Sequence, residues 1–94
     1  MRQLQIPPAA LADAESFEII RVWAADGQQH VTIQTELQGG PEEWGFLLAQ
    51  LARHMAHAYT TSISLPYPEA VDRIKAGFDQ EWDAPTGEPT GRVL

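Results

Sequence analysis

The sequence predicts an α+β domain in the order ββαα, and three observations carry that prediction. Asp26-Gly27 separates two strand-like runs, an apolar stripe recurs from Trp44 to Tyr59, and an apolar seam runs from Tyr67 to Trp82. A period of two followed by two stretches with the helical period is the pattern of a hairpin accompanied by helices.

Asp-Gly suits a two-residue type I′ turn, because both central residues need positive φ and glycine takes it without steric cost. Counting outward pairs Ala25 with Gln28, Ala24 with Gln29, Trp23 with His30, Val22 with Val31, Arg21 with Thr32 and Ile20 with Ile33. Strand side chains alternate between faces, so this register sorts them into two sets. One face holds Ile20, Val22, Val31, Ile33, Thr35 and Leu37 and needs an apolar cover. The other holds Phe17, Ile19, Arg21 and Trp23 beside His30, Thr32, Gln34 and Glu36. A slip of one residue would mix the sets.

Ahead of the hairpin, Met1 to Ile6 either lies free or adds an edge strand through Leu4 and Ile6. Pro7-Pro8 stops that segment, and Pro8 opens a helical turn through Ala9 to Ala14. After the hairpin, Gln38-Gly39-Gly40-Pro41 punctuates the chain, with Gly40 as N-cap and Pro41 at the first helical position. Glu42 and Glu43 then oppose the positive end of the helix dipole. The spacing predicts a helix from Pro41 to about Tyr59, with Trp44, Leu47, Leu48, Leu51, Met55, Ala58 and Tyr59 on one stripe. That stripe is the natural cover for the apolar hairpin face. The β-branched and hydroxyl residues of Thr60 to Leu65 should end the helix. Pro66-Tyr67-Pro68 introduces a second helix, starting near Pro68, along which Val71, Ile74, Phe78 and Trp82 continue the seam. Trp44, Phe78 and Trp82 are expected in the core.

The domain is therefore expected over residues 1–84, with 85–94 as a flexible C-terminal tail. Ordering those last residues costs roughly 10–20 kcal/mol of backbone entropy. Burying Val93 and Leu94 would return only about 3–6 kcal/mol.

At 94 residues, folding buries roughly 64% of the unfolded surface, enough for one small core. Cysteine is absent, which excludes a disulfide framework and thiolate chemistry and fits a reducing cytoplasm. No run approaches the ~20 apolar residues of a membrane helix, and no apolar segment follows Arg2 as in a signal peptide. Thirteen acids face six scattered Arg and Lys, a net charge of −7 that disfavours nucleic acid. A cytoplasmic protein is expected, kept soluble by its charge.

No constellation of catalytic residues emerges. Ser16, Ser62 and Ser64 lack a nucleophile elbow, and no acid is tied by spacing to a histidine. Gly39-Gly40 lacks the P-loop pattern, and Glu42-Glu43 would repel a phosphate. The acids on the two helices read as a solvated face. His54 and His57, three apart on the first helix, are the one alternative: a metal or small-molecule site completed by His30, Glu42 or an acid of the second helix. Against it stands the reading of ordinary histidines at the margin of an apolar stripe. His30, opposite Trp23, reads as a cross-strand packing pair.

The residues Val22-Trp23, Gly39 to Gly45 and Leu51 to Ala56 resemble a family of short uncharacterised bacterial proteins, a domain of unknown function found mainly in alphaproteobacteria. The likeness covers roughly Phe17 to Trp82. It implies a small cytoplasmic bacterial protein and carries over no activity, substrate or catalytic residue.

The expectation is a non-enzymatic interaction module without a cofactor. Its partner would be another protein or a second copy of the chain, not a nucleic acid or a membrane. Phe17, Ile19, Arg21, Trp23 and His30 form the expected contact patch, since two helices cannot also cover the second face of a two-stranded hairpin.

Overall fold

In the computed structural model Asp26 and Gly27 take φ of 54° and 70°, the two left-handed residues that a type I′ turn requires. The structure describes residues 2–34, 39–87 and 90–93. The turn joins β1 (Ile20–Ala25) to β2 (Gln28–Ile33), and the pairing is Ile20 with Ile33 through Ala25 with Gln28. That is the register counted outward from Asp26-Gly27. One further bond, from the Gln34 N–H to the Ile19 carbonyl (2.9 Å), extends it. Thr35, Glu36 and Leu37 lie outside the described residues.

The segment before β1 forms the short helix α1 (Pro8–Ala12) and not an edge strand. Pro8 opens it, as expected for a residue whose missing N–H would have no helical partner. The Ser16 hydroxyl then donates to the Ala10 carbonyl (2.6 Å) and folds the chain back after the turn.

The flexible tail expected over residues 85–94 is corrected at two points. Thr86 donates from its N–H and its hydroxyl to the Glu81 carboxylate, at 2.7 and 2.9 Å. Thr90–Val93 forms a strand, β3, which pairs parallel to β2 from His30 with Thr90 to Ile33 with Val93. The sheet order is β1-β2-β3, so β2 is central. Side-chain burial alone does not offset the ordering of this segment, and pairing along the open edge of β2 supplies what it lacks. That edge offers backbone donors and acceptors to any strand that reaches it.

The chain divides into two compact units, Met1–Leu37 with Pro89–Leu94, and Gln38–Glu88. The expected boundaries, 1–84 and 85–94, are not those of these units, because the last strand belongs with the hairpin.

The second unit is a pair of helices in contact, α2 (Glu42–Ile63) and α3 (Tyr67–Asp83). Glu42 and Glu43 occupy the first turn of α2, where the dipole favours them. The helix does not stop at Tyr59; it runs through Thr60, Thr61, Ser62 and Ile63. Thr60 explains the extra turn, because its hydroxyl donates to the Ala56 carbonyl (3.2 Å) and is satisfied within the helix. Ser64, left-handed at φ 59°, then ends α2 with its N–H on the Thr60 carbonyl (3.1 Å). Leu65 precedes a proline and so resists helical geometry, after which α3 starts at Tyr67.

Ala56 on α2 and Ala70 on α3 are buried, and no large side chain among the described residues is fully buried. Small residues let two helices approach closely, and the larger side chains then fall to the flanks of the contact. This corrects the expected core positions at the far end of α3. Phe78 and Trp82 stack on each other with centroids 5.7 Å apart, but Trp82 remains 73% exposed. Trp44 is half-buried.

Two outcomes check this architecture. Gly27→Ala adds a Cβ that meets nothing within 4 Å, so its cost is backbone strain alone. It should destabilise by about 1 kcal/mol and lower the melting temperature by roughly 4–8 °C; no loss would contradict the type I′ turn. Ending the chain at Gly87 removes β3 and should lower the melting temperature by at least ~4 °C, since each ladder bond contributes about 1 kcal/mol. A melting temperature that does not move would restore the free tail.

Candidate functional site

The candidate contact patch lies on the hairpin face that carries Trp23. Arg21 and Trp23 come from β1 and His30 from β2, with Trp23 and His30 directly opposite across the ladder. Side chains so placed are close neighbours, and an aromatic pair there stabilises the hairpin by roughly 0.2–1 kcal/mol. Phe17 and Ile19 precede β1, and the bond between Ile19 and Gln34 holds that approach in line with the strand.

The five residues differ in how much surface they offer. Phe17 is 61% exposed and Ile19 stands at 36%, whereas Trp23 and His30 are half-buried. His30 Nε2 lies 3.2 Å from the Ala25 carbonyl, which only accepts, so this ring nitrogen carries the proton. The ring is thereby pinned beside the turn. Arg21 forms an ion pair with Glu18 at 2.8 Å, with both side chains substantially exposed. Such a surface pair contributes little, so a partner's carboxylate competes for Arg21 at low cost. The patch offers apolar contact, one guanidinium and one imidazole edge.

The opposite hairpin face does not read as a covered face throughout. Val22 is 52% exposed, while Ile20, Val31 and Ile33 are half-buried.

On α2, His57 lies flat against Tyr67 at the start of α3, with centroids 4.3 Å apart and planes 23° from parallel. That stacking ties the end of α2 to the beginning of α3 across their short connection. His54 is exposed. Among the described residues no group of three or more His, Cys, Asp or Glu side chains is arranged to hold a metal ion.

Gly39 and Gly40 precede α2 as the sequence indicates, and the acids that follow them fold back over them. A Cβ at Gly39 would lie 2.6 Å from Glu43 Cγ, and one at Gly40 would meet Glu42 Oε2. Acidic side chains therefore crowd both glycines, which disfavours a bound anion there. Lys75 is raised above its ordinary pKa by the hydrogen bond and charge of Asp79, 2.7 Å away. This is surface pairing, not the burial that marks a catalytic amine.

Sequence reasoning missed one exposed set. Leu48, Met55, Tyr59 and Ile63 on α2 are between 45% and 64% exposed, and Phe46 is comparably open. The extra helical turn brings Ile63 into the first group, which is why a helix ending at Tyr59 did not include it. No helix among the described residues is long and apolar enough to cross a membrane.

Residues 3–86 match the family described as a domain of unknown function (DUF5076). The chain belongs to this family. No curated protein matches it. It is similar to a solved structure from the photosynthetic bacterium Rhodopseudomonas palustrus CGA009, provisionally described as a pyruvate dehydrogenase. The two are 30% identical with a TM-score of 0.74, and the match covers 100% of this chain and 97% of that one.

Proposed function

We propose that this protein is a non-enzymatic interaction module that binds another protein through the Trp23 face of its hairpin. The observation that carries the reading is the exposure of Phe17 and Ile19 next to Trp23 and its cross-strand partner His30, whose ring is held at the Ala25 carbonyl. Exposed apolar side chains beside a rigid aromatic and an arginine are the composition of interface hot spots. An acidic chain with net charge −7 gives the rest of the surface its solubility and discourages anionic partners. A cytoplasmic, alphaproteobacterial setting accords with the absence of cysteine and with the organism of the similar solved structure.

The description of that relative raises a dehydrogenase of pyruvate as the rival. Decarboxylating a 2-oxo acid requires an electron sink, which a thiamine diphosphate ylid supplies. The described residues here do not fit such a group. Glu42 and Glu43 crowd Gly39 and Gly40, which disfavours an anionic diphosphate at that turn.

The test is affinity purification from the native host with the wild-type chain and with Phe17→Ser and Arg21→Ala. Both positions are exposed, so stability should stay within about ±0.5 kcal/mol. A specific protein should be recovered with the wild type, and its affinity should fall at least ~10-fold with Phe17→Ser. Equal recovery with both variants, or no bound protein, would refute the hairpin face as the binding surface.

A further inference from the structure

The exposed apolar set on α2 has no role in the hairpin patch, and its spacing is informative. At about 100° per residue, Leu48, Ala52, Met55, Tyr59 and Ile63 fall within an arc of roughly 80°. Ala56 and His57 point toward α3, as the burial of the first and the stacking of the second on Tyr67 show. The arc lies to one side of that contact. Trp44, Gly45 and Ser62 border it, so no charged residue stands on this face of a chain whose net charge is −7. An apolar strip that acidic side chains avoid, exposed at every position but the half-buried Ala52, is a surface built to be covered.

We infer that a second copy of this chain covers it, with the two α2 helices packed antiparallel about a twofold axis between residues 55 and 56. The stripe is symmetric about that point. Leu48 and Ile63 lie equally far from it on either side, and so do Ala52 and Tyr59. An antiparallel copy therefore sets Leu48 against Ile63 of its mate and the Tyr59 ring over the small Ala52, with the two Met55 side chains meeting at the axis. Large against small is the alternation that interdigitating helices need. A parallel copy would place Tyr59 against Tyr59 and Ala52 against Ala52, and it loses that fit.

The area agrees. Four side chains, each about half exposed and each of order 150–200 Å², offer about 350 Å² of apolar surface. A standard interface takes about 800 Å² per partner, roughly 65% of it apolar in homodimers. The stripe alone supplies about two thirds of that apolar part. Gly45 belongs to its border: a Cβ there would meet nothing within 4 Å, so packing within the chain does not account for a glycine in the first turns of α2.

Sedimentation equilibrium of the full chain, up to near-millimolar concentration, tests the pairing. The wild type should sediment at twice its 10.4 kDa mass. Tyr59→Glu, which drives an acid onto Ala52 of the mate, should return one-chain mass with unchanged helical circular dichroism. Trp23→Ala should stay dimeric, which separates this surface from the hairpin face. Because the chain has no cysteine, Met55→Cys supplies a single thiol at the axis and should give a disulfide-linked dimer on oxidation. Ala76→Cys, on α3, should not. If Tyr59→Glu fails to fold, the two cysteine variants decide. A wild type at one-chain mass throughout, a dimer lost in Trp23→Ala but kept in Tyr59→Glu, or no cross-link at Met55→Cys would each overturn the inference.

Discussion

The helical half of this protein depends on an alanine-sized contact. Ala56 and Ala70 are its buried residues, one from each helix of the pair. A buried alanine contributes little apolar area, so the stability it provides comes from what close approach permits. His57 lies against the face of Tyr67, Leu47, Leu51, Val71 and Ile74 stay half-buried, and Leu48, Met55, Tyr59, Ile63, Phe78 and Trp82 remain exposed. Those exposed side chains are the surfaces available for association. A leucine at either alanine would hold the helices apart and loosen the His57–Tyr67 stack.

The sheet half obeys a different constraint, the pairing of backbone edges. The type I′ turn sets the register of β1 and β2 without help from elsewhere in the chain. β2 is then left with an open edge, and the far end of the sequence fills it. A parallel partner has to return by a long crossover, and residues 38–88 provide one. Two strands alone are marginal in water, so a third strand matters to this unit even though it is only four residues long.

What was legible in the sequence follows from how local each signal is. Asp26-Gly27 specifies its register within a few residues, and the observed pairs follow it one by one. Pro8, Pro41 and Pro66 mark the helix starts to within a residue or two because proline acts on its own φ and on its neighbour. The end of α2 was misjudged since Thr60 has two outlets for its hydroxyl, and the bond to the Ala56 carbonyl is visible only once the helix exists. β3 was illegible because its strand character comes from the distant edge of β2; Thr90-Gly91-Arg92-Val93 has little of its own. Of the candidate site, residue types and faces were readable, but exposure was not. Phe17 and Trp23 share a face, yet one is open and the other half-buried, and Trp82 continues an apolar seam that reaches past the buried contact into solvent.

Ala56 is fully buried, so close packing requires an alanine-sized side chain at that position and does not merely tolerate one. Urea denaturation of Ala56→Leu measures this directly, with Ala58→Leu on an exposed position of the same helix as the reference. Overpacking should cost Ala56→Leu about 1–3 kcal/mol, while Ala58→Leu stays within about ±0.5 kcal/mol. Equal stability of the two variants, or a gain for Ala56→Leu, would contradict the alanine contact as the basis of the helix pair.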